Sequence, residues 1–174
     1  KVRLKKEKKE RSEDHEKIDK RFKWITGTII VGHLLNILIL GPFSVGGEFS
    51  FEEVMNFLFV ATALWFYMDY KMLRDERTYL KCAVLAFGGL IYWYLISRID
   101  SDLFPKSRIS LAFIPFILLL IQWPLRILYI LLLKREPIVD NRPEKFVDLI
   151  YSMILFIGPL LISLSLGSIF HGGN

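Results

Sequence analysis

Five predominantly apolar stretches, residues 24–45, 51–70, 79–97, 109–133 and 146–170, constrain this chain more than any motif in it. At roughly 1.5 Å of rise per residue, each is long enough as a helix to cross a hydrocarbon core of roughly 30 Å. Inside that core the backbone must satisfy its own hydrogen bonds, so runs of this length read as helices. The expected fold is all-α, a polytopic transmembrane bundle of about five spans. What lies between the runs is short, too little for a separate soluble core. The expected organisation is therefore a charged N-terminal tail (1–23), the bundle (24–170) and a short C-terminal end (171–174).

Charge sets the expected orientation. The chain has 23 Lys and Arg against 18 Asp and Glu, for a formal net charge of +5. Eleven of the basic residues precede Trp24, four lie in the second connection (Lys71, Arg74, Arg77, Lys81) and four in the fourth (Lys134, Arg135, Arg142, Lys145). The alternate connections carry three, Arg98, Lys106 and Arg108. Positive residues stay on the cytoplasmic side, which predicts the N-terminus inside, the C-terminus outside and an odd number of spans in a plasma or inner membrane. This segregation accounts for the basic balance without nucleic acid, and no nucleic-acid partner is expected.

Residues 1–23 alternate basic and acidic blocks, with Glu7/Arg11, Glu13/Lys17 and Glu16/Lys20 at the four-residue spacing that supports a solvated helix. The tail reads as a coreless extension beside anionic lipid headgroups, or as a docking arm for a partner. The first span is too long for a signal-peptide core and its leader too acidic, so it reads as a retained signal anchor.

Polar residues inside the spans are the candidate functional groups. His33 and Asn36 share a face near the middle of the first span, as a pair that hydrogen-bonds a neighbouring helix or as a protonatable group on a pathway. Gly41-Pro42 and Gly46-Gly47 make a tight turn before the second span. Ser50-Phe51-Glu52-Glu53 has the form of a capping box, which leaves Glu52 and Asn56 as a polar face near the outer end. Glu52-Glu53 and His33/Asn36 loosely resemble the EExxxR and HxxxN elements of the CAAX-type intramembrane proteases. No Arg follows the doublet and the His-to-Asn spacing is one residue short, so the chain is not assigned to that family.

The fourth stretch holds Gln122, Trp123, Pro124 and Arg126 among aliphatic residues. Arg126 lies eight residues before Lys134, roughly 12 Å along a helix. As part of one tilted crossing it needs a carboxylate, with Asp148 and Asp69 as the candidates, and Gln122 completes the expected cluster. Pro124 frees the carbonyl of Leu120 and predicts a kink. Alternatively the crossing ends near Leu125, Arg126 is an interface anchor, and residues 127–133 lie along the headgroups.

The remaining features favour packing. Cys82 is the only cysteine and reads as a buried thiol. Ala83, Ala86, Gly88 and Gly89 in span three, and Ser163, Ser165, Gly167 and Ser168 in span five, mark faces for close helix approach, and Gly158-Pro159 predicts a break. Tyr79 to Ser97 ends in Tyr92-Trp93-Tyr94, an aromatic belt, before a loop through Asp100, Ser101, Asp102 and Pro105. Pro143-Glu144 reads as a helix start. No nucleotide, nucleophile-elbow or zinc motif is present, and no cofactor is expected. The first expectation is a non-enzymatic accessory, immunity- or defence-type subunit acting through self-assembly or partner binding. The alternatives are a small oligomeric channel or transporter and a membrane enzyme of unspecified type.

Overall fold

The computed structural model describes the backbone of residues 2–40, 51–99, 111–139 and 146–171, and the side chains of 16–39, 51–96, 111–139 and 146–166. Helix α1 (Val2–Leu35) continues into a π-helical turn, Asn36–Leu40. Helix α2 (Phe51–Met68) leads through a 3-10 turn, Met72–Arg74, to α3 (Glu76–Ile99), followed by α4 (Phe113–Leu133) and α5 (Phe146–His171). No strand occurs among the described residues. The expected capping box at Ser50, the glycine turn at 41–47, the loop at 100–105 and the helix start at Pro143-Glu144 lie outside them.

Four helices, over Glu16–Ile39, Glu76–Ile96, Phe113–Leu133 and Phe146–Leu166, are long and apolar enough to cross a membrane. The protein is thus an α-helical membrane protein by length and composition of its helices. Helix α2 differs from the other four: it has 18 residues and carries Glu52 and Glu53 in its first turn. It is also covered by its neighbours, with Met55 and Phe66 fully buried and contacts to both α1 and α4. Eight of its residues are buried, while Phe57, Leu64 and Met68 remain exposed.

The outer surface is apolar where lipid would be the solvent. Leu38, Met68, Leu131, Leu132 and Phe146 are all more than two-thirds exposed. Hydroxyls on that surface bond back into their own helix, Thr28 to the carbonyl of Trp24 at 3.0 Å and Ser165 to that of Leu161 at 2.9 Å. The core joins Phe22, Trp65, Phe66, Leu73, Cys82, Leu118, Leu119 and Leu155, so Cys82 is the buried thiol the sequence predicts.

The tail runs into the first span without a break, because α1 is continuous through residue 23. Its last turn is also docked: Phe22 is buried against Trp65, Arg21 pairs with Asp69 at 3.0 Å, and Asp19 pairs with Lys81. Gly158-Pro159 does not break α5, which continues to His171. Pro159 is nearly fully buried, and the bare Cα of Gly158 leaves room for Ile121 on α4, whose Cδ1 would stand 3.5 Å from an added Cβ. Pro124 likewise lies within a continuous α4. The hydroxyl of Tyr79 donates to the carbonyl of Leu119 at 2.8 Å, next to the carbonyl that Pro124 deprives of its donor.

Helix α3 begins at a side-chain cap. Asp75 accepts from the backbone N–H of Thr78 at 2.9 Å and from its hydroxyl at 2.8 Å, an N-cap geometry that fixes the link from α2. The end of the bundle holding this link and residues 134–139 is rich in arginine.

Candidate functional site

The candidate site is built where α4 ends. Gln122 and Tyr129, two turns apart, are buried on the side of α4 that meets Tyr151 and Leu155 of α5, the most extensively packed pair of helices. After Leu133 the chain reverses at Lys134, whose φ of 53° is the left-handed conformation, with its N–H bonded to the carbonyl of Ile130. That reversal sends residues 135–139 back over the helix end as a strap.

Glu136 of the strap meets Arg126 face to face, with Nε donating to Oε2 at 3.0 Å and Nη2 to Oε1 at 2.7 Å. This two-point fork is the strongest geometry available to a guanidinium and a carboxylate. Arg126 Nη1 also reaches the carbonyl of Arg74 at 3.5 Å. Arg74 stands on the far side of the same carboxylate, its Nε 3.8 Å from Oε2. Its Nη2 donates to the carbonyl of Pro137 at 2.8 Å and to the Tyr70 hydroxyl, which itself donates to the Pro137 carbonyl at 2.5 Å.

A second pair anchors the strap to α5. Asp148 is fully buried and accepts from the Tyr129 hydroxyl, from Arg135 at 2.7 Å and from the backbone N–H of Ile138 at 3.1 Å. Three donors on one carboxylate offset much of the cost of withdrawing it from water. Arg135 also lies 5.3 Å over the Tyr129 ring. Among the described residues the cluster thus holds three guanidinium groups against two carboxylates. Its rim is open, with 31% of the Arg74 side chain, 17% of Arg126 and 39% of Glu136 exposed. Hydrogen bonding from Arg126 holds the Glu136 carboxyl below the usual carboxylate range, against the opposing effect of burial.

The expected cluster of Arg126, Gln122, Asp148 and Asp69 is therefore brought together only in part. Arg126 pairs with Glu136, not with Asp148 or Asp69. Asp148 belongs to Arg135, and Asp69 accepts from Arg21 and, at 3.3 Å, from the Trp65 indole. The physical reason is the reversal at Lys134, which delivers a nearer carboxylate. Gln122 is fully buried, and neither amide atom has a partner; the hydroxyls of Tyr151 and Ser152 are also buried and unpartnered.

The other candidates sit toward the opposite end. Asn36 donates to the carbonyl of Phe51 at 3.0 Å, bonding the neighbouring helix. His33 packs between Phe59 and Tyr92, with ring centroids 5.2 and 5.0 Å away, and its Nδ1 is buried without a partner. It lines a lateral groove of about 420 Å³ between α1 and α3, with Val84, Gly88, Gly89 and Tyr92 on the α3 side. Glu52 is buried in the first turn of α2, and Asn56 is half-buried one turn later.

Sequence reasoning missed Glu136, Arg135, Tyr129, Arg74 and Tyr70 as members of the site. Arg135 and Arg74 read as boundary charges, and nothing in the spacing of Glu136 announces a chain that doubles back. Chemically the cluster can clamp the strap and hold an anion; no group of three or more His, Cys, Asp or Glu that could hold a metal occurs among the described residues. In comparisons with known proteins, no family model, curated protein or solved structure matches this chain.

Proposed function

We propose that the protein is a polytopic membrane subunit that works by contact and self-assembles through the flank formed by α1 and α3. In this reading α2 is a fifth crossing, and the N-terminus and Arg-rich end are cytoplasmic. The observation that carries it is the lateral groove. Its wall at Gly88 is open, since an added Cβ would meet nothing within 4 Å. Beside it α3 presents a ridge of Val84, Phe87, Ile91 and Leu95, exposed by 66, 55, 46 and 55%.

In lipid there is no hydrophobic drive between helices, and small residues that admit another helix closely are what favours association. A groove and a ridge on adjacent flanks of one helix suit a two-fold pair, in which each copy receives the ridge of the other. Accessory roles would follow from what such a pair recruits. A channel within one chain has less support. Along α2, Phe66 lies between Phe59, beside His33, and Tyr70, beside Arg74, and it is packed with Leu118, Leu119 and Leu155, all nearly fully buried. Any polar route would have to run between copies.

The test is the protein's mass in nanodiscs by light scattering. A dimer is expected, and Gly88→Trp, which fills the groove, should give a monomer of unchanged thermal stability. A wild-type chain that stays monomeric over the accessible concentration range overturns self-assembly, and a monomer bound to another polypeptide transfers the groove to that partner.

A further inference from the structure

We propose that Arg74 and Arg126 form a binding site for a phosphate group, and that Glu136 is an internal anion occupying that site. The inference is independent of self-assembly, because the groove and the strap lie at different places on the bundle. Three observations carry it. First, two guanidinium groups converge on one carboxylate, Arg126 at 2.7 and 3.0 Å and Arg74 at 3.8 Å, so that among the described residues these three groups carry one positive charge in excess.

Second, donors at the site remain unmet. Arg74 Nε is buried with no hydrogen-bond partner, since Glu136 Oε2 stands 3.8 Å away, beyond hydrogen-bond reach. The Tyr151 hydroxyl, on the face of α5 that meets Tyr129, is also buried and unpartnered. A carboxylate offers two oxygens, whereas a phosphate offers three or more, arranged to take a fork from each of two arginines. A phosphate oxygen beside Arg74 Nε would meet the donor that Glu136 leaves unpaired.

Third, the occupant stands at the open rim. Glu136 belongs to the strap, its side chain is 39% exposed, and the strap leaves α4 at the left-handed Lys134. Turning the Glu136 side chain outward would uncover both guanidinium groups while the bonds to Asp148 and to the Pro137 carbonyl keep the strap in place. With the orientation proposed above, the site faces the leaflet where anionic lipids and soluble phosphate both occur. The shared chemistry is the phosphate group, and the two sources separate by experiment.

The full-length chain is placed in phosphatidylcholine nanodiscs and in nanodiscs containing phosphatidic acid, and thermal unfolding is followed in each. Phosphatidic acid should raise the melting temperature. Glu136→Gln, which keeps the shape of the strap but removes the competing charge, should bind phosphatidic acid about tenfold more tightly than wild type. A residue that only stabilises the fold would not tighten binding when replaced. Arg74→Gln should abolish the response, and if that chain does not fold, Arg74→Lys, which keeps the charge but loses the fork, should weaken it. Inorganic phosphate added to phosphatidylcholine nanodiscs distinguishes the source: the same protection, strengthened by Glu136→Gln, identifies a soluble phosphate ligand. Equal melting in both lipids, no effect of inorganic phosphate and no gain in Glu136→Gln would overturn the site.

Discussion

Arg126 illustrates how one residue can be right in kind and wrong in partner. A guanidinium among aliphatic side chains requires an anion, and it has one, 2.7 Å away on a strap ten residues later. Removing Glu136 leaves two guanidinium groups facing each other, and removing Arg126 leaves the carboxylate only its 3.8 Å contact with Arg74. Arg126→Leu should therefore lower stability by about 1–3 kcal/mol, and adding Glu136→Leu should restore part of the loss. Thermal unfolding of the two single variants and the double variant in one detergent measures that coupling, and simple additivity would show the pair to be energetically silent.

The same pair predicts a pH dependence. Because Arg126 holds the folded-state pKa of Glu136 below its unfolded value, the contribution is fully present above about pH 4.3, the ordinary Glu value. It is lost as pH falls through the lower, folded value. The charged groups facing Glu136 are Arg126 and Arg74. Unfolding followed from neutral pH downward should show wild type losing stability below about pH 4 more steeply than Glu136→Gln. Identical profiles would mean that the ion pair does not couple to folding.

At the scale of elements, α3 and the end of α4 make separable predictions. Gly89 and Gly88 are neighbours with opposite surroundings: a Cβ at Gly89 would approach Phe59 Cε1 to 2.9 Å, whereas one at Gly88 meets nothing within 4 Å. Gly89→Ala should cost about 1–3 kcal/mol through displacement of the Phe59 ring, and Gly88→Ala should be tolerated. Equal effects in an unfolding assay would show that α3 does not pack on Phe59 as described. Lys134 is the only non-glycine residue at positive φ among the described residues, and a side chain there costs about 1–2 kcal/mol. Lys134→Gly should relieve up to about 1 kcal/mol of that strain while keeping the reversal that places Glu136. The small residues of α3 were legible in the sequence as a packing face, but which glycine is filled from outside depends on Phe59, thirty residues away. Periodicity does not carry such a contact.

For the whole molecule, the helices were legible because lipid-length apolar runs leave few alternatives, and four of them qualify directly as membrane-crossing segments. Tertiary ties were not legible, since Arg126–Glu136 depends on a reversal and Arg21–Asp69 on the docking of a tail whose composition looked coreless. Those ties divide the molecule into a strong part and a looser one. Helices α4 and α5 share the broadest contact, whereas the described side chains of the first span, residues 16–39, make their polar ties near its two ends with the groove between. One fastening is Asn36 to Phe51; the other joins Asp19, Arg21 and Phe22 to Lys81, Asp69 and Trp65. Releasing one end should therefore open α1 without opening the α4–α5 pair. With a hydrogen bond contributing about 1 kcal/mol, Asn36→Leu should speed amide hydrogen exchange in residues 24–39 by about fivefold, and leave residues 113–133 and 146–166 unchanged. Arg21→Ala, which releases the other end through a more exposed pair, should give a smaller rise in the same region. Equal acceleration throughout all the helices would show instead that the bundle opens as one cooperative unit, and that the groove has no independent mobility with which to admit another helix.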